Sequence, residues 1–251
     1  MSSIILPGSD AYKYPRFPIA ARKRNYRRDG VCITSAEDSG VVPVAPGSPD
    51  SYWAMDSLGA TTPDSLGGRP LTSNGTPALV AGKMSSAISC AVSGGADWLS
   101  SSDASFNFGN TDFVWRFWVK VTTVTAQDIL KRFFPGGYRF QYDVTQGIGF
   151  YCTDGTSQAT VYSGQLMVAD TWYMVVGFHD ATNNLIGISV DGGTIITAAY
   201  SAGCGTSPSE LVIGANALYI IIDEVGVWTG LVFDQGNVAF EWNDGAGVTY
   251  S

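Results

Sequence analysis

The chain has 251 residues, 45% of them hydrophobic and 12% aromatic, with 30 glycines and only 14% charged residues. That balance belongs to many short strands joined by tight turns and excludes a helical bundle. No apolar run nears the roughly 20 residues of a membrane-spanning helix. The formal net charge of −8 is divided unevenly. Residues 1–30 carry seven basic side chains against two acidic ones, a net +5, whereas residues 31–251 carry seven against twenty, a net −13. A basic arm on an acidic body bears on partners rather than on fold.

Residues 1–49 read as an extended arm and linker, and residues 50–251 as the domain. Prolines at 7, 15, 18, 43, 46 and 49 punctuate the arm, and no stretch holds a period of 2 or 3.6. Ala20–Arg28 suits a short helical turn without an apolar face, and Val41–Pro49 an extended linker. The opening Met1–Gly8 is too short and too poor in positive charge for a secretion signal. Alone, such an arm has too little apolar surface to fold and needs another chain to order it. Arg16, Arg22, Lys23, Arg24, Arg27 and Arg28 are its candidate partner-binding residues. Tyr12, Tyr14, Phe17 and Tyr26 interleave with them as in nucleic-acid stacking segments. A −13 body repels a polyanion, however, so an acidic protein surface, even a copy of this body, is the expected partner and nucleic acid is not.

From Ser51 onward strand signals recur: Tyr52–Asp56, Lys83–Val92, Asp112–Val121, Gln127–Phe134, Tyr138–Val144, Ile148–Thr153, Gln158–Tyr162, Trp172–His179, Leu185–Val190, Thr194–Tyr200, Glu210–Ile213 and Tyr219–Trp228. Asp154-Gly155 and Asp191-Gly192-Gly193 supply hairpin turns. Strands at this spacing predict an all-β antiparallel jelly-roll sandwich, with Phe233–Asn243 as a helix. Asn74-Gly75-Thr76 reads as a turn rather than a glycosylation site. Cys32, Cys90, Cys152 and Cys204 form no close pairs, so metal and redox motifs are excluded. Four free thiols in a reducing cytoplasm are expected, because a domain this large stands on its core.

Within Leu218–Trp228, Asp223 and Glu224 interrupt an apolar run. Alternation sends one inward or to a sheet rim, where it needs compensation, and Glu224 outward to solvent or a partner. His179 is the only histidine; it ends a strand beside Asp180 and reads as a rim residue. Tyr138, Tyr142, Tyr151 and Tyr162 could stack on sugar rings, but a sandwich core needs aromatics in any case.

Three ordered segments carry a family resemblance over residues 50–251. Tyr52-Trp-Ala-Met-Asp-Ser57 with Thr62-Pro-Asp-Ser-Leu-Gly67 resembles the opening strand and turn of laminin-G-like, concanavalin-A-like jelly-roll modules. Asp170–Asp180 followed by Leu185–Gly193 resembles their central hairpin. Ile222–Trp228 with the glycine-rich Trp242–Tyr250 is similar to their closing strand and tail, especially in bacterial and phage proteins. The resemblance implies a Ca²⁺ held by Asp223 of the closing strand with Asp56 or Asp64 from the opening segment; the alternative is that Asp223 caps backbone amides or pairs with an arginine. The Glu-x-Asp-x-x-Glu pattern of jelly-roll glucanases is absent, so no catalytic residue is expected. The expectation is a non-enzymatic virion structural protein assembled in the host cytoplasm. It would be a phage capsid decoration (cement) protein, or a minor tail or fibre subunit, on capsid or tail subunits and in several copies. The alternative is a carbohydrate-binding adhesion module for cell-surface glycans.

Overall fold

A computed structural model describes residues 41–90, 97–214 and 219–250, and in the arm the backbone of two short strands. The strands run in chain order as β1 (Asn25–Tyr26), β2 (Cys32–Ile33), β3 (Ser51–Trp53), β4 (Thr61–Thr62), β5 (Leu71–Asn74), β6 (Ala78–Ala81), β7 (Ser86–Ser89), β8 (Trp98–Ser101) and β9 (Phe113–Val121). Then come β10 (Gln127–Phe133), β11 (Gly137–Asp143), β12 (Gly147–Thr153), β13 (Gln158–Tyr162), β14 (Trp172–Asp180), β15 (Leu185–Val190), β16 (Ile196–Ala199), β17 (Leu211–Ile213) and β18 (Ile220–Thr229), followed by helix α1 (Gln235–Trp242). β1 and β2 pair with each other, so Asn25–Tyr26 is strand where a helical turn was expected.

The fold is an antiparallel jelly-roll sandwich of two eight-stranded sheets. The front sheet has the order β13-β12-β11-β10-β17-β8-β5-β4. The back sheet has the order β16-β15-β14-β9-β18-β7-β6, with β3 beside β18. β9 shows how the pattern works. Trp115, Phe117 and Val119 enter the core between the sheets, while Val114 and Trp118 enter a second core behind the back sheet. Each such side chain contributes about 1.5–3 kcal/mol by leaving water. A strand buried on both faces reads as a continuous apolar run, and that is why β9, β14 and β18 are the plainest strands in the sequence.

The second core is roofed by the C-terminal segment, through Phe233, Val238, Trp242 and Tyr250. Asp234 caps α1 in a reciprocal capping box with Asn237, which fixes where the helix starts. Arg116, fully buried, ties this roof down. Its Nε and Nη2 donate to Glu241 Oε2 at 2.9 and 2.7 Å, and its Nη1 donates to the Glu224 carbonyl at 2.8 Å. Nη2 also donates to the Val248 carbonyl, and the Tyr250 hydroxyl donates to Glu241 Oε1. Residues 41–50 lie on the same side. Val44 N donates to Gly236 O at 2.9 Å, and Trp228 Nε1 donates to Gly47 O at 3.1 Å.

Three expectations change. β4, β5, β6 and β8 gave no legible signal, because short stretches such as Leu71-Thr-Ser-Asn and Trp98-Leu-Ser-Ser become strands only through their neighbours' ladders. The strand expected from Lys83 starts at Ser86, since Gly82–Ser85 forms the β6–β7 turn with Ser85 at φ 91°. Cys152 and Cys204 are not free thiols. They form a disulfide, Cα–Cα 5.2 Å, in which the chain returns to β12 after 52 residues. Cys90 is a buried free thiol whose pKa desolvation pushes up to about 12.

Candidate binding face

Among the described residues, the back sheet is roofed by the C-terminal segment and the outer face of the front sheet has no such roof. Leu130, Phe140, Phe150 and Val161 point into the core, so their neighbours on β10–β13 point out. Register aligns them in rows. Lys131, Arg139, Tyr151 and Thr160 face one another across the four strands, and Asp128, Gln141, Gly149 and Tyr162 form the next row.

These groups hold one another flat on the sheet. Lys131 Nζ lies 2.8 Å from Asp128 Oδ2, and Arg139 Nη1 lies 3.9 Å from Asp128 Oδ1. The Arg139 guanidinium sits 4.7 Å from the Tyr151 ring centre and 5.2 Å from that of Phe133, contacts worth about 0.5–1 kcal/mol each at such sites. The Tyr151 hydroxyl donates to Gln158 Oε1 at 2.5 Å, and Gln141 Nε2 donates to the Tyr162 hydroxyl at 2.7 Å. The Tyr162 ring lies over Gly149, where an added Cβ would come within 2.6 Å of it. Tyr151 is itself 7% exposed beneath Arg139, so the face presents the Arg139 guanidinium, the Gln141 amide and the half-buried Tyr162 ring.

At its end, where β10 starts and β11 ends, a cleft of about 320 Å³ is lined by Ala126, Gln127, Asp128, Gln141, Tyr142 and Asp143. Three donors from the following turn (Thr145 N, Thr145 Oγ1 and Gln146 N) reach Asp143 Oδ1 and hold its carboxyl below the usual carboxylate range. Asp128 is bound to Lys131. Glycoside hydrolysis needs one carboxyl that keeps its proton. Asp143 is tuned in the opposite direction, so it is not a carboxyl that keeps its proton.

Burial raises Asp191 and, with larger shifts, two carboxyls of β18. Asp223 is pushed up to about 6, by desolvation first and by the charge of Asp56 as well, and Glu224 up to about 8 by desolvation alone. Glu224 does not face solvent, as alternation required, but is 1% exposed. Against β9, Asp223 pairs with Trp118 and Gly226 with Arg116, so one extra residue is accommodated and Glu224 takes φ 51°. Here too β18 exchanges β7 for β3 as the partner on its other edge.

Asp223 Oδ2 accepts from Lys83 N and Met84 N at 2.8 and 3.1 Å, which is the amide-capping alternative, while Oδ1 is buried without a partner. Asp56 accepts from Ser86 N in the same turn at 2.8 Å. This pair fits a cation. Asp64 does not join it, because its two oxygens accept from four backbone amides, those of Tyr52, Leu66, Gly67 and Arg69. Among the described residues, no three His, Cys, Asp or Glu side chains converge as metal ligands. Arg16, Arg22, Lys23, Arg24, Arg27 and Arg28 lie outside the described residues. His179 ends β14 as expected but is buried, not at the rim; its Nδ1 donates to Thr111 O at 2.7 Å and its ring stacks on Phe113. Tyr138 and Tyr142 belong to the core, whereas Tyr151 and Tyr162 form the outer face. Lys131, Arg139 and Gln141 were missed, although Arg139 and Gln141 alternate with Tyr138, Phe140 and Tyr142 along β11.

No curated protein matches the sequence. Among solved structures, the binding domain of Paraclostridial Mosquitocidal Protein 1 superposes with a TM-score of 0.65 at 12% identity, over 78% of this chain and 52% of that one. Domain 4 of AbnA, an extracellular GH43 arabinanase from Geobacillus stearothermophilus in complex with arabinotriose, gives 0.56 at 16%, over 76% and 97%. The binding domain of botulinum neurotoxin DC in complex with SialylT gives 0.58 at 13%, over 77% and 50%. The chain thus spans about half the length of the toxin domains, and at these identities the likeness is one of fold. The family model described as the concanavalin A-like lectin/glucanases superfamily matches residues 93–239, more than half of the chain. The chain belongs to the concanavalin A-like lectin/glucanase superfamily.

Proposed function

We propose that this protein is a non-enzymatic binding module that recognises saccharide on the outer face of its front sheet. The observation that carries this reading is the asymmetry of the sandwich. Among the described residues, one sheet is roofed by the C-terminal segment, and the other carries Lys131, Arg139 and Tyr151 in one cross-strand row with Gln141 and Tyr162 in the next. Rings stack on the C–H faces of sugars, and amide and guanidinium groups bond hydroxyls. The complexes of AbnA domain 4 with arabinotriose and of the neurotoxin domain with SialylT support saccharide as the ligand class. Ca²⁺ held by Asp223 and Asp56 would brace the back sheet at the β6–β7 turn. A glycan array probed with the native chain and with an Arg139→Ala/Tyr151→Ala variant tests the proposal. Binding by the native chain and its loss in the variant are expected; equal binding by both, or binding by neither, would overturn it.

A second reading concerns the arm and follows from the charge division of +5 against −13. The arm would anchor the module to capsid or tail subunits of a virion, as a decoration protein or a minor tail or fibre subunit. Residues 41–50 pack against α1 and β18, on the roofed side, so an anchored arm would leave the open face displayed. Deleting residues 1–40, upstream of the Val44 contact, should abolish incorporation into phage particles. Normal incorporation would sink the anchoring role.

A further inference from the structure

We infer that the front-sheet face takes an internal stretch of a linear polysaccharide, laid across the strands between two aromatic platforms, Tyr162 on β13 and Trp98 on β8. The inference rests on the saccharide reading above and deepens it, fixing the ligand's length and direction. Trp98 belongs to this face. Leu99 and its partner Ile213 on β17 point into the core, so Trp98 and Ser100 point outward. Trp98 is only partly buried, with Asn74 opposite it on β5. Hydrogen bonds fix the strand on both sides of the indole. Asp97 Oδ1 accepts from Thr76 N at 2.5 Å, and Ser100 Oγ accepts from Asn74 Nδ2 at 3.0 Å.

From Trp98 each strand across the sheet contributes one position. β17 is followed by Gly214, whose N donates to Ile129 O at 2.9 Å. β10 then offers Asp128, β11 Gln141, β12 Gly149 and β13 Tyr162, the last four paired in register. The order across the strands is therefore ring, glycine, carboxylate, amide, glycine, ring. Gly149 has no side chain to hold the Tyr162 ring off the sheet; an added Cβ would come within 2.6 Å of it. Between the rings, the Asp128 side chain is 22% exposed, and Gln141 gives Nε2 to the Tyr162 hydroxyl but keeps Oε1 as an acceptor. Both accept from hydroxyls, and the cleft of about 320 Å³ opens beside them. None of the six is basic, and nearby Lys131 and Arg139 are turned to Asp128, so the row suits neutral sugars. Neighbouring strands lie about 4.8 Å apart, close to the advance of one sugar in an extended glycan, so the five steps from β13 to β8 cover about 24 Å and about five sugars. A terminal mono- or disaccharide reaches one ring only.

The test is calorimetric titration of the whole chain with malto-, cello-, xylo- and arabino-oligosaccharides of two to six sugars. At least one series should bind, with affinity rising about tenfold or more from trisaccharide to pentasaccharide as both rings become occupied. Trp98→Ala should weaken the pentasaccharide about tenfold or more, and the trisaccharide, which still has Tyr162, no more than about threefold. Tyr162→Ala, on the edge strand, should give the same contrast from the other end. A merely structural role for either ring would weaken all lengths alike. Affinity that stays level from three sugars upward, or variants that lose equally at every length or not at all, would overturn this inference and leave the saccharide reading standing. Binding of none of the four series would overturn both.

Discussion

Glu224 gives the sharpest test of the architecture, because its side chain stands where alternation alone would not put it. It is 1% exposed, its Oε2 has no hydrogen-bond partner, and desolvation raises its pKa from 4.5 to about 8. In the folded protein the carboxyl keeps its proton up to about pH 8; in the unfolded chain it loses it near 4.5. The unfolded state therefore binds fewer protons across that window, and folding stability falls as pH rises through it. The full effect of moving a carboxyl from 4.5 to about 8 is ~4.8 kcal/mol. Relaxation of the surrounding dipoles around the ionised carboxyl reduces this to about 2–3 kcal/mol. Glu224→Gln is neutral at every pH and keeps the shape. Urea unfolding of both proteins between pH 4 and 9 should show the variant's stability relative to wild type rising by about 2–3 kcal/mol between pH 4.5 and 8, and levelling off above. A difference that stays flat across that range would refute a buried neutral Glu224 and the bulge that places it.

Three further outcomes follow from buried contacts. Arg116→Met strands the Glu241 carboxylate in the second core and should cost about 3–5 kcal/mol in urea unfolding, part of which the Arg116→Met/Glu241→Gln double variant should restore. Replacing both Cys152 and Cys204 with serine should cost about 2–4 kcal/mol, the range for a closed loop of 52 residues, and alkylation of Cys152 or Cys204 without reductant, read by peptide mass, would show the bond absent. Gly82→Ala puts a Cβ 2.3 Å from Ser86 O and 2.7 Å from Asp223 Oδ2, and thermal unfolding should report a loss of about 1–3 kcal/mol.

What was legible in the sequence was what burial writes strongly. β9, β14 and β18 are long and apolar because both their faces are covered, and α1 is announced by Asp234 and Asn237 in its capping box. Less visible was whatever depends on one inserted residue or on a distant partner. The bulge at Glu224 reverses the parity of β18, so Ile220 and Ile222 before it share the core with Val225 and Val227 after it, and alternation counted from either side misplaces the carboxylates. The Cys152–Cys204 bond joins residues that no local spacing relates. On the candidate face, Arg139 and Gln141 alternate with core aromatics as any solvated strand would. Among the described residues, only the roof over the other sheet sets this face apart.

The central claim is that the open front-sheet face is where ligand docks. The structure of the protein in complex with the best saccharide from the glycan array tests it most directly. Sugar should lie across Arg139, Gln141 and Tyr162 on the front sheet. Sugar bound against the roofed side, at α1 or the Asp56–Asp223 turn, would contradict it.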